Sequence, residues 1–208
     1  FELAAPVKIE AGGKEIVGAR RLYERYEDDK GRRRLRVKKT IPGNHELAGK
    51  YTKIDAADLN GDGLVDIIVG HSKPRLLVYY NRGGEDGYKY GDPEILKTAP
   101  GSLSSRPSPH VADWDGDGLP DIIAGGSDGR LRFLRNVGTR KKPAFARGVA
   151  LRAGGEVIDR GYRTAALVTD WNGDGKPDIL MGNAYADRDP ETGKRRSTMG
   201  NLWVYLRR

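Results

Sequence analysis

One nine-residue pattern occurs three times in the chain. It reads Asp-Leu-Asn-Gly-Asp-Gly-Leu-Val-Asp at residues 58–66, Asp-Trp-Asp-Gly-Asp-Gly-Leu-Pro-Asp at 113–121 and Asp-Trp-Asn-Gly-Asp-Gly-Lys-Pro-Asp at 170–178. The first aspartates stand 55 and then 57 residues apart, which makes this spacing the length of an internal repeat. Each copy runs into a short apolar stretch that ends in a glycine four residues after the last aspartate: Gly70, Gly125 and Gly182. A second apolar stretch follows at 75–81, 130–136 and 201–207, and Asn81 and Asn136 both lie 15 residues past the closing aspartate. The third copy needs about 14 extra residues, 185–198, to come into line. Short strand-like segments repeated at this interval point to four-stranded sheets set side by side rather than to a helical solenoid. The expected fold is all-β, made of β-propeller blades of four antiparallel strands, with the acidic loop between the first and second strand of each.

Composition agrees with many tight turns and few helices, since 29 glycines and 11 prolines fall among 208 residues. The absence of cysteine excludes a disulfide framework, a thiolate metal site and thiol chemistry. Apolar runs are only a few residues long, too short for a membrane-spanning helix. The start, Phe-Glu-Leu-Ala, has neither Met nor a basic-then-apolar leader layout, and reads as a mature or trimmed piece of something longer.

The repeat divides the chain into blades at 51–100, 101–155 and 156–208. Residues 1–13 resemble residues 145–155, each segment opening on Phe and closing on Ala-Gly-Gly. The N-terminal segment, of this chain or of a neighbouring copy, is therefore expected to complete the last blade as its fourth strand. Residues 14–50 do not fit the repeat. Two strand-like runs around Asp-Asp-Lys-Gly at 28–31 read as a hairpin, either an inserted basic ribbon or a degenerate blade.

Counting each first aspartate as position 1, side-chain oxygens fall at positions 1, 3, 5 and 9. These are Asp58, Asn60, Asp62 and Asp66; Asp113, Asp115, Asp117 and Asp121; and Asp170, Asn172, Asp174 and Asp178. Position 7, occupied by Leu64, Leu119 and Lys176, can offer a backbone carbonyl. Alternating oxygen donors on a tight loop supply the all-oxygen shell that a hard divalent cation takes, and three or four carboxylates favour calcium over magnesium. Zinc and copper would want His or Cys, and none is near. About three Ca²⁺ sites are expected. The bidentate Glu of an EF-hand is missing, because Val69, Ala124 and Met181 stand at position 12 inside strand-like segments. A single Asp-Asn-Gly cluster would be an ordinary turn, but three copies in one register argue for ligation.

The pattern Asp-x-Asp/Asn-x-Asp-Gly-x-x-Asp, followed by an apolar strand and Gly, resembles the FG-GAP/VCBS repeat, which is also present in integrin α-subunit propellers. The resemblance covers residues 50–208 and the first 13. It implies a calcium-binding β-propeller of a secreted, periplasmic or cell-surface protein, used for adhesion or ligand binding, with the residues just named as its metal ligands. Three loops are fewer than a complete propeller has, so the chain is a segment of a larger ring, pairs with a second copy as a homo-oligomer that completes the ring, or makes a fourth blade from residues 14–50.

Basic residues are concentrated. Residues 20–39 hold ten Lys/Arg against four acids, and residues 130–147 hold seven and no acid. Arg32, Arg33, Arg34, Arg36, Lys38 and Lys39, with Arg195 and Arg196 in the third-copy insertion, are the candidate ligand face. An acidic polysaccharide or an acidic protein surface is the preferred partner, and nucleic acid is disfavoured for a calcium-loaded module outside the cytoplasm. The three histidines, His45, His71 and His110, have no metal spacing. Trp114 and Trp171, both at position 2 of a loop, are expected to pack between blades. The expected function is non-enzymatic binding or adhesion. The rivals are a calcium-dependent polysaccharide lyase or hydrolase, for which no catalytic base is evident, and a structural subunit of a surface assembly.

Overall fold

The computed structural model describes residues 10–11, 14–15, 20–41, 53–85 and 88–208. Two antiparallel ribbons come first: β1 (Glu10–Ala11) with β2 (Lys14–Glu15), and β3 (Arg20–Glu27) with β4 (Arg33–Ile41). The second is the hairpin read from the sequence. Its turn is fixed by the Asp28 carboxylate, which accepts the N–H groups of Lys30 and Arg32 at 3.0 Å each. Residues 1–9, to which most of the proposed blade-completing strand belongs, lie outside the described residues.

Two four-stranded antiparallel sheets and one three-stranded sheet follow, one per repeat. The first has β5 (Lys53–Ala57), β6 (Asp66–Gly70), β7 (Leu76–Tyr79) and β8 (Glu94–Ile95) in that order. The second has β9 (Ser108–Ala112), β10 (Asp121–Gly125), β11 (Arg132–Leu134) and β12 (Val149–Ala150). A small ribbon, β13 (Arg152–Ala153) with β14 (Glu156–Val157), leads to the third sheet of β15 (Tyr162–Thr169), β16 (Asp178–Arg188) and β17 (Arg195–Tyr205). Among the described residues there is no helix, and the sheets do not close into a ring.

The β13–β14 ribbon turns on Gly154-Gly155, and β1–β2 flanks Gly12-Gly13 with the same two-residue strands. The sequence likeness between the two segments thus extends to their described backbone. The 14-residue surplus of the third repeat lengthens β16 and β17 into a ladder from Ile179↔Tyr205 to Arg188↔Arg195 instead of forming a loop.

Strands β6 and β10 are apolar on both faces because a neighbouring sheet or loop covers each one. Ile68, Leu76 and Val78 of the first sheet pack with Ile122, Ala124 and Leu134 of the second. Leu131 at the start of the second sheet's third strand then packs with Ile179 and Met181 of the third, flanked by Trp203 and Tyr205. One face of each sheet therefore meets the opposite face of the next. The glycines that end β6 and β10 allow the close approach: a Cβ on Gly70 would lie 1.8 Å from the Pro107 carbonyl oxygen, and one on Gly125 would lie 2.3 Å from that of Thr164. At Gly182, beside which no further sheet is packed among the described residues, a Cβ would meet Leu202 Cδ2 at 3.8 Å.

Polar groups pin the same seams. Asp55 accepts the Val111 N–H at 2.6 Å and lies 3.3 Å from His110 Nδ1; burial works against its charge, but these two partners hold its pKa below the usual value. Fully buried Thr164 exchanges backbone and hydroxyl hydrogen bonds with Gly126. Seams of this kind, repeated, place the three acidic loops at the same end of successive sheets.

Candidate metal loops

Each acidic loop joins the first strand of its sheet to the second: residues 58–65 between β5 and β6, 113–120 between β9 and β10, and 170–177 between β15 and β16. The position-1 carboxylate organises the turn. Asp58 accepts the N–H groups of Gly61 (2.6 Å), Asp62 (3.1 Å) and Gly63 (3.1 Å). Asp113 takes the same three donors from Gly116, Asp117 and Gly118, and Asp170 from Gly173, Asp174 and Gly175. The wrap needs left-handed backbone at positions 4 and 6, where φ is 70° and 85° for Gly61 and Gly63, with similar values in the other loops.

Position 5 accepts the N–H of position 7 at 2.9 Å in all three loops (Asp62 from Leu64, Asp117 from Leu119, Asp174 from Lys176). These amide bonds hold Asp117 and Asp174 below the usual aspartate pKa, helped by Arg135 and by Asn172 respectively. Position 3 accepts the position-5 N–H through Asn60, Asp115 and Asn172 at 3.0 to 3.3 Å. In the second loop, carboxylate oxygens of Asp113, Asp115 and Asp117 lie within 4.8 Å of one another. Donors of this kind, all oxygen and largely anionic, fit a hard divalent cation.

Position 9 behaves differently. Asp66, Asp121 and Asp178 are fully buried, and each grips two backbone amides. One oxygen takes the position-2 N–H: Leu59 at 3.0 Å, Trp114 at 3.1 Å and Trp171 at 3.0 Å. The other takes the N–H of the residue two beyond the third strand: Asn81 at 2.9 Å, Asn136 at 2.7 Å and Arg207 at 2.7 Å. The closing aspartate is thus a pin between loop and sheet, and its remaining lone pairs are what it could give a metal. Burial pushes the pKa of Asp66 and Asp121 up, and neighbouring loop carboxylates add to this against the amide bonds.

The 15-residue offset of Asn81 and Asn136 is the signature of this pin, and their side chains continue it. Asn81 Oδ1 accepts the N–H groups of Gly83 and Lys89, and Asn136 Oδ1 those of Gly138 and Ala144. In the third repeat the span is 29 residues, the 14 extra ones being those in the β16–β17 extension.

The tryptophans divide. Trp114 packs against the core shared by the second and third sheets, beneath the Arg207 guanidinium at 5.0 Å. Trp171 is 59 % exposed, which corrects the expectation that both pack between sheets. Among the described residues no further sheet is packed beyond the third to cover it. Of the candidate basic face, Arg33, Arg34, Arg36, Lys38 and Lys39 lie on β4 and Arg195 on β17, and their side chains fall outside the described residues. Arg32 pairs with Asp28 at 2.9 Å and Arg196 with Asp189 at 2.5 Å. No strand ladder joins the two groups among the described residues. Two arginines that sequence reading did not single out sit on the loops themselves: Arg135 on the second and Arg140 on the first.

The FG-GAP-like repeat matches twice, at residues 58–124 and 113–181, and each match begins on a position-1 aspartate. The chain belongs to the FG-GAP-like repeat family. The matched residues span the three acidic loops and run into the second strand of the third sheet. This FG-GAP-like chain is also similar to phosphatidylinositol-glycan-specific phospholipase D of Bos taurus, at 27% identity over 187 residues covering 77% of this chain and 22% of that protein. The Rattus norvegicus protein of the same name is 28% identical over 175 residues, with 74% and 20% covered. The chain spans about a fifth of the length of these curated relatives.

Proposed function

We propose that the chain is a calcium-stabilised, β-propeller-type binding or adhesion module without catalytic activity, working in a secreted, periplasmic or cell-surface setting where calcium is plentiful. The observation that carries this reading is the threefold loop with the same hydrogen-bond register at positions 1, 3, 5 and 9. Positions 1, 3 and 5 and the position-7 carbonyl would hold the ion, with position 9 beneath them. Bound calcium supplies positive charge to a turn crowded with carboxylates, and the residues themselves fold the turn. The relatives' phospholipase activity belongs to far longer proteins and is not part of this reading. No helix among the described residues is long and apolar enough to cross a membrane.

Charge supports a polyanionic partner. Ten of the 29 acidic residues and one of the 37 basic ones, Lys176, lie in the three motifs, leaving 36 basic residues against 19 acidic ones elsewhere. Three divalent ions, at two charges each, would raise the formal net charge from +8 to +14. An acidic glycan or acidic protein surface is the ligand class this favours, with the basic segment from Arg32 to Lys39 at its centre. The test is retention on immobilised heparin in calcium buffer at 0.15 M salt. Retention should fall about tenfold or more at 0.5 M salt and in a variant with Arg33, Arg34 and Arg36 replaced by Ala. Absence of retention, or retention indifferent to salt, would contradict the reading.

A pH dependence follows from the raised pKa of Asp66 and Asp121. The folded ion-free chain holds these protons more tightly than the unfolded chain, so its stability falls as pH rises from the ordinary aspartate range through the raised values. Calcium requires the ionised form, so its stabilisation grows over the same window. Scanning calorimetry with calcium or with chelator should show two melting temperatures that converge on acidification through this window. A gap independent of pH would count against ligation at these loops.

A further inference from the structure

The three loops differ in one respect that bears on their relative strength. Position 3 is Asp115 in the second loop but Asn60 and Asn172 in the others, so the second loop carries one more carboxylate. It also carries a cation. Arg135 Nε lies 2.6 Å from Asp115 Oδ2, and Nη2 lies 3.1 Å from Asp117 Oδ2. Arg135 directly precedes Asn136, whose N–H is held by Asp121, and follows buried Leu134, so the frame delivers its guanidinium to the loop. The matching residues before Asn81 and Arg207 are Tyr80 and Leu206, which bear no charge. Among the described residues the first loop meets a guanidinium at one longer contact, Arg140 Nη2 to Asp58 Oδ2 at 3.4 Å. Among the described residues no ion pair reaches Asp170 or Asp174 of the third.

We infer that Arg135 is a built-in competitor for calcium at the second loop, making it the weakest of the three sites. The inference rests on the calcium reading. The guanidinium stands in for the ion on the position-3 and position-5 carboxylates and has to leave both before they can ligate calcium together. Its departure frees a cation in a stretch, residues 130–147, that holds seven Lys/Arg and no acid, so loading the second loop also exposes positive charge to a polyanionic partner.

Amide resonances of Gly63, Gly118 and Gly175, each bonded to its own position-1 carboxylate, report the three loops separately in a ¹⁵N-correlated calcium titration of the whole chain. Gly118 should saturate last. Arg135→Gln should move the Gly118 midpoint to about five- to tenfold lower calcium, with the other two shifting less than about twofold. Arg135→Leu, which copies the third repeat, should do the same and covers the case in which the first variant folds poorly. If none of the three amides responds to calcium, the calcium reading itself fails. If all three respond but neither variant moves Gly118, the competitor role is overturned and the calcium reading stands.

Discussion

Leu131→Ala is expected to lower stability by about 2–5 kcal/mol, while Leu202→Ala should change it by less than about 0.5 kcal/mol. The two leucines hold the same place in successive repeats, as does Leu76. Leu76 and Leu131 are completely buried where one sheet meets the next, whereas Leu202 is 91 % exposed. The first substitution leaves a cavity between the second and third sheets, lined by Ile158, Ile179 and Met181. The second removes a side chain from water. Urea denaturation of both variants checks this directly. Equal losses would mean that the exposed face of the third sheet is covered in solution and that the sheet sequence continues or closes there.

Removing calcium should be the largest single perturbation. An ion that binds only the folded loop adds about 2.7 kcal/mol when its concentration is about 100 times the dissociation constant. Three such sites together amount to about 8 kcal/mol, a fall in melting temperature on the order of 15–30 °C for a chain of this size on chelation. Variants at two loop positions separate the ion's share from the framework's. Asp117→Ala should lose the second loop's share of the calcium effect, less than a third of it, and behave nearly as wild type in chelator, because its carboxylate lies on the solvent side of the turn. Asp121→Ala should be destabilised even in chelator, since it strands the buried N–H groups of Trp114 and Asn136, at about 1–3 kcal/mol each. If chelation leaves the wild-type melting temperature unchanged, the loops are turns and nothing more.

The period of the motif was enough to read the sheets and the loop between first and second strands, and two strand-like runs about a turn were enough to read the hairpin around residues 28–31. That reading works because alternating Asp and Gly at fixed offsets and β-branched runs such as Ile67-Ile-Val are local signals, each with a local physical cause. The relation between neighbouring sheets was less legible. Nothing in Gly70 or Gly125 alone says that a carbonyl of the next sheet will lie against it, and Trp114 and Trp171, alike in sequence, differ because only one has a neighbour to cover it. The role of position 9 was half visible: the 15-residue offset to Asn81 and Asn136 was there, but only the geometry shows it as a hydrogen bond from strand end to buried carboxylate. Arg135 and Arg140 were hidden in a run of like charges, since charge density does not say which guanidinium reaches which carboxylate.

Direct calcium counting tests the account at its centre. Equilibrium dialysis or titration calorimetry of the whole chain should find three ions per chain, falling to two in each of Asp62→Ala, Asp117→Ala and Asp174→Ala. A chain that binds no calcium, or whose three variants all bind as many ions as the wild type, would contradict it.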